Sequence, residues 1–252
     1  MPDQNNATHS QQQEAPPTSK HNVYKNKTKR TVTIFAELYF YGGKSTPELA
    51  KQMAEDLQYH WNKPAATISI DRIKYRVLVS ARGHHVSKSK AWILSLGNKD
   101  YKNFFIRVEE FVDTPEGNVS QMSSGAKSNT GFFKYENIRN RLSSTEAHEI
   151  GCHGWGSGHP PKKDLTIRGI KFNAISALGK GQPGINYPQN SIVDSPFQIN
   201  PKAKPGTKHG GTLDPNKRFV TQQDVELLRL ELLPYDNMGR ACLGGVTNEF
   251  YY

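Results

Sequence analysis

Between positions 148 and 159 the chain reads His148-Glu149-Ile150-Gly151-Cys152-His153-Gly154-Trp155-Gly156-Ser157-Gly158-His159, placing three histidines, a glutamate and four glycines within twelve residues. Neutral imidazoles are good ligands for divalent metals, and a carboxylate beside them can take a proton from water. Hydrolysis at zinc needs three such ligands, one open coordination position and a base next to it. These residue types therefore assign His148, His153 and His159 to Zn2+ and Glu149 to the base. Gly156 stands midway between His153 and His159, where a sharp turn must bring the last histidine back to the ion.

The second half of this pattern has the spacing His-x-x-Gly-x-x-His, but the first half is one residue too long. His148 and His153 are five apart, and Cys152 stands where the second histidine is expected. Five residues of ideal α-helix turn about 140° past a full turn, which separates the two rings. Three outcomes are compatible with this: a π-bulge that widens one turn, ligation by Cys152 thiolate, or a site that no longer holds metal. The intact spacing from His153 through Gly156 to His159 favours the bulge. With Cys152 as ligand the glycine falls at the wrong place in the turn. The expectation is a widened turn between Glu149 and His153, eased by Gly151, with Cys152 not ligating.

A helix must carry His148 and Glu149, and the rest of the chain must supply the floor beneath it. Residues 1–30 are rich in Gln, Asn, Pro, Lys and Thr and read as a disordered polar tail or linker. The run 31–41 mixes β-branched and aromatic residues and reads as a strand. Ser45 or Thr46 caps a helix that starts at Pro47 and carries Leu49, Met53, Leu57 and His60-Trp61 at helical spacing. Strands follow at 66–70 and 74–81, joined through Asp71-Arg72, then at 103–112 and 131–134. The motif helix begins at Glu136 or Ser144 and stops in 154–158, where three glycines cannot sustain it. Residues 160–220 have little periodicity and read as a rim or lid. A last helix spans 221–233, and residues 235–252 read as a C-terminal tail. The order implies a sheet covered by helices on one face.

Length and charge narrow the function classes. A chain of 252 residues suits one domain plus tails, here 31–234. No window has the roughly 18 apolar residues of a membrane span, and the first thirty residues hold no signal-peptide core. The formal charge is +10. Residues 1–30 hold five basic and two acidic side chains, so +3 sits there and +7 is spread over the other 222 residues. Without a basic stripe the expectation is no nucleic-acid partner. Two cysteines, Cys152 and Cys242, make no disulfide framework. Arg82-Gly83-His84-His85 lacks a surrounding ligand pattern and reads as a strand-end loop, and His209-Gly210-Gly211 reads as a turn.

On these residues the chain resembles a family. Ser144-Thr145-Glu146-Ala147-His148-Glu149-Ile150-Gly151 is similar to the start, and His159-Pro160 to the end, of the active-site segment of metzincin-like (zincin fold) metallopeptidase domains. Bacterial examples lie at the C-terminal ends of Rhs-type polymorphic toxins. Gln182-Pro183-Gly184-Ile185-Asn186-Tyr187-Pro188 resembles the methionine turn under the zinc, with Asn186 in place of methionine, and Gly210-Gly211-Thr212-Leu213 resembles the closing segment. The resemblance implies an α+β fold. Its parts are a twisted mixed β-sheet, two long helices of which the second carries the zinc motif, and an irregular C-terminal subdomain ending in a helix. It further implies a substrate strand added to a sheet edge, and Tyr187 as a catalytic residue stabilising the oxyanion. The implied protein is a monomer acting on a peptide or protein, with a cognate immunity protein as partner. It would be secreted or delivered as an effector without a visible signal peptide, and otherwise cytoplasmic. The competing readings are a pseudo-peptidase kept as a binding module, marked by low zinc content, and a nucleic-acid-binding effector, marked by salt-dependent affinity.

Overall fold

The computed structural model describes residues 20–111, 120–123, 127–156, 165–167, 170–172, 220–247 and 249–252. Its organising element is β2 (Thr31–Tyr41), whose alternate side chains Val32, Ile34, Ala36, Leu38 and Phe40 are buried in the main core. Along one side of β2 runs β4 (Ile73–His85), parallel, in register from Thr31 opposite Arg76 to Phe40 opposite His85. The other side is shared. β1 (Val23–Asn26) lies antiparallel beside its first half and β5 (Asn103–Glu109) parallel beside its second. β3 (Thr67–Ile70) pairs antiparallel with β4, and β10 (Arg240–Ala241) antiparallel with β1. Beyond β5 comes β7 (Thr130–Lys134), parallel to it, and then β6 (Gln121–Met122), antiparallel and at the edge. The result is a curled, mixed, eight-stranded sheet in an α+β arrangement, with a separate hairpin of β8 (Leu165–Ile167) and β9 (Ile170–Phe172).

The crossover from β2 to β4 passes through α1 (Pro47–Asn62). Thr46 caps it, its Oγ1 accepting from the Leu49 amide at 3.1 Å, and Pro47 fills the first turn, where no amide donor is needed. Leu49, Ala50, Met53, Ala54, Leu57 and Trp61 form its buried stripe. Full burial of one large apolar side chain contributes roughly 1.5–3 kcal/mol, so the stripe outweighs local propensity in holding α1. Gly83 sets how closely strand and helix approach: a Cβ there would lie 1.8 Å from the Ala50 carbonyl oxygen. Asn62 fastens the far end of α1 to β4, donating to Val79 O at 2.9 Å and accepting from Val79 N at 2.7 Å. The β3–β4 turn uses Asp71 and Arg72 with φ of 52° and 63°, the left-handed pair of a tight hairpin. Tyr75, Val77 and Val79 face the core and Arg76 faces out, which settles the side of β4 that is buried.

Several expectations are corrected. The tails drawn at 1–30 and 235–252 cut through the sheet, since β1 and β10 are strands in those spans. Asn22 ties the two ends together through both atoms of its amide, donating to Leu243 O at 2.8 Å and accepting from Leu243 N at 2.7 Å. The helices do not share one face: α2 (Lys88–Ser95) packs with Tyr41, Val86 and Phe105, apart from the core of α1. It escapes sequence reading because its buried positions are the small Ala91 and Ser95. The second helix is not long. A single turn, α3 (Tyr135–Ile138), precedes α4 (Thr145–Glu149), which runs directly into a π-helical turn at Ile150–Gly154. The last helix is also broken: α5 (Gln222–Leu227) ends before Arg229, at φ 52°, and a 3-10 turn follows at Leu230–Leu232. Among the described residues no helix is long and apolar enough to cross a membrane.

Candidate metal centre

The helix bearing His148 and Glu149 starts where Ser143 anchors it. Ser143 Oγ donates to Asn137 O at 2.7 Å and accepts from the Thr145 amide at 3.2 Å. Ala147 and Ile150 are fully buried and point this helix into the main core. After Glu149 the turn widens. The Trp155 amide donates to Ile150 O at 2.6 Å, a span of five residues, and Ile150–Gly154 is a π-helix. The sequence expects a bulge between Glu149 and His153, and this is where it lies.

A widened turn disturbs the backbone ladder, and the neighbouring elements supply the missing partners. Trp61 of α1 donates from Nε1 to Ala147 O at 3.2 Å, while the Ile150 amide is shared between Ala147 O and Glu146 O. At the far end His153 O accepts from two loop amides, Lys127 at 2.8 Å and Ser128 at 2.9 Å. Gly151 is needed for space more than for backbone freedom: a Cβ would sit 2.2 Å from Trp61 Cζ2. At Gly154 a Cβ would sit 2.7 Å from Phe104 Cε1. Gly156, with φ 81°, ends the helix in the left-handed conformation that suits glycine.

The π-turn brings the two imidazoles together. The His148 and His153 ring centroids are 6.1 Å apart at 75° to each other. His148 is buried, with Nε2 4.0 Å from Glu149 Oε1 and Nδ1 3.7 Å from Cys152 Sγ. Glu149 is also buried, and its Oε2 accepts from the Met122 amide of edge strand β6 at 3.2 Å. The Cys152 side chain packs within the main core. Two imidazoles and an adjacent carboxylate are of the residue types that zinc takes. Among the described residues no group of three His, Cys, Asp or Glu side chains converges as a metal site. His159, Tyr187, His209 and the segments 182–188 and 210–213 lie outside the described residues.

Two further findings concern polar groups. Glu146, in the first turn of the motif helix, is fully buried, and its carboxyl oxygens meet no hydrogen-bonding group beyond its own backbone. Burial, reinforced by Asp56, pushes its pKa well above the usual carboxylate range. Asp56 of α1 is pushed up to about 6 by burial, although the Leu142 amide donates to its Oδ2 at 2.9 Å. His60, one turn on, is lowered by burial. Sequence reading set His60 within the stripe of α1 but passed over Asp56, although a carboxylate beside an apolar stripe is out of place. At the expected strand end, β4 itself runs on through His84 and His85, and His84 Nε2 lies 2.6 Å from Glu37 Oε2. Comparison with known protein families, with curated proteins and with solved structures finds no match.

Proposed function

We propose that this chain is a zinc-dependent endopeptidase of zincin-like fold, with His148, His153 and His159 as ligands and Glu149 as general base. The observation that carries the reading is the π-turn at Ile150–Gly154, because it sets His148 and His153 side by side despite their five-residue spacing. Zinc, when bound, supplies Lewis acidity toward a peptide carbonyl and toward water. The chain's own part is positional and protolytic. His148 and His153 project from one face, and Glu149 next to them takes a proton from the attacking water and returns it to the leaving amine. The Met122 amide steadies the Glu149 carboxylate and links it to β6, the sheet edge where an extended peptide would add as a further strand. Tyr187 is the proposed oxyanion donor. A protein substrate, delivery as an effector and a cognate immunity protein belong to the same reading.

Metal analysis and proteolysis test it together. The purified chain is expected to hold about one zinc per molecule, to lose it in His153→Ala and to keep it in Cys152→Ala. Casein digestion should fall by roughly two to four orders of magnitude in Glu149→Gln. Digestion unchanged by that substitution removes the peptidase assignment, and a wild-type chain with far less than one zinc per molecule favours a metal-free binding module.

A further inference from the structure

Helix α2 is built inside out. It is a properly formed element, because Ser87 Oγ accepts from the Lys90 amide at 3.2 Å and Ser95 Oγ donates to Trp92 O at 2.8 Å. Yet the side chains that it buries are the small Ala91 and Ser95, with Ala91 against Tyr41, Val86 and Phe105. Its large apolar residues face out: Trp92 is 40% exposed, Ile93 63%, Leu94 38% and Leu96, just beyond, 58%. Single exposed apolar residues are ordinary, but a contiguous group rimmed by charge marks a surface that meets something.

The rim is mainly basic, with Asp100 just beyond it held by Lys102 at 2.8 Å. Lys88 and Lys90 precede the apolar group and Lys99 follows it, all exposed, and residues 85–99 contain no Asp or Glu. Lys88 Nζ lies 5.5 Å above the ring of Tyr252, a further exposed aromatic. A second copy of the chain suits this surface poorly, because a two-fold contact would set lysines against lysines. Residues 1–19 contain no Val, Leu, Ile, Phe, Trp or Tyr and offer no apolar complement, although Lys20 sits near the α2–β5 turn, its carbonyl accepting from the Tyr101 amide at 3.1 Å. Anionic lipid satisfies both halves: apolar side chains enter the boundary between headgroups and acyl chains while lysines meet the phosphates.

We infer that α2 and the turn after it form a docking site for an anionic membrane surface, with Trp92, Ile93, Leu94 and Leu96 seated in the interface and Lys88, Lys90 and Lys99 on the lipid phosphates. The helix lies on the bilayer and does not span it. The inference is independent of the metal centre.

The test uses the full chain in flotation with vesicles of phosphatidylglycerol mixed with phosphatidylcholine, compared with phosphatidylcholine alone. Binding is expected to be about tenfold or more tighter to the anionic vesicles and to weaken as salt rises. Trp61 and Trp155 are each 1% exposed, so a blue shift of tryptophan emission on binding reports Trp92. The pairs Ile93→Ser with Leu96→Ser, and Lys88→Glu with Lys90→Glu, alter exposed side chains only and should each weaken binding about tenfold without changing the melting temperature. Equal binding to both vesicle types overturns the inference. So does undiminished binding by the serine pair, which would mean adsorption of a basic chain. A dimer that the serine pair dissolves, with no vesicle binding by the wild type, would assign the face to a second copy instead.

Discussion

Helix α1 and the motif helix at 145–154 lie against each other and solve opposite problems. α1 runs for sixteen residues with a capped start, a continuous apolar stripe and both ends fastened. The motif helix runs for a single α-turn and then widens, with glycines pressed against Trp61 and Phe104. The regular helix obtains its stability from burial, so it can afford to lend its Trp61 side chain to the irregular one. The irregular helix departs from ideal geometry to place two imidazoles together, and its neighbours supply the hydrogen bonds that the departure costs. The candidate ligands sit on the irregular element, and the regular one supplies the packing surface and the indole donor beside it.

If that division holds, substitutions at the contact between the two helices should be severe and those elsewhere on α1 mild. The largest effect is expected for Gly151→Val, because even a Cβ there would lie 2.2 Å from Trp61. Destabilisation of about 3 kcal/mol is expected in urea unfolding, with zinc lost as well, while exposed Lys51→Ala stays within about 0.5 kcal/mol. A Gly151→Val chain that unfolds like the wild type would break the comparison. Next comes Trp61→Phe, which keeps an aromatic ring but leaves Ala147 O without its side-chain donor. A loss of about 1–3 kcal/mol is expected, and weaker zinc retention with little change in helix content by circular dichroism would separate support of the π-turn from support of the fold.

The smallest effect concerns the polar group under the motif helix. Burial raises Asp56 to about 6 in the folded chain, above the ordinary carboxylate value of 3.8. The folded state therefore holds this proton more tightly than the unfolded state. Its contribution to stability is complete below the unfolded value and is lost as pH rises through about 6. Asp56→Asn cannot lose it, so the variant should gain about 1 kcal/mol relative to the wild type between pH 4 and pH 7 in thermal unfolding. A difference independent of pH would mean that Asp56 does not titrate in this range.

Much of the frame was legible in the sequence because local chemistry imposed it. Thr46-Pro47 with a 3.6-residue apolar stripe leaves α1 few alternatives, and the β-branched alternation of 73–81 with Asp71-Arg72 before it makes a hairpin strand. The short pairings were not legible. β1 and β10 carry no strong strand pattern: β1 is held by β2 along its length, and β10 is added to its outer edge from more than two hundred residues away. α2 was hidden because the sheet accepts only small residues from it, which reverses the usual pattern.

At the candidate centre the sequence by itself determined which residues could act: two histidines five apart, a glutamate beside the first, and a glycine between them, in a spacing that an α-helix cannot bring to one face. Only the tertiary structure decided that the turn is widened, because the energy that holds a π-turn lies outside it. It comes from the indole of Trp61 on a helix some ninety residues earlier in the chain, from the Lys127 and Ser128 amides, and from the flat ring surface against which Gly151 can close.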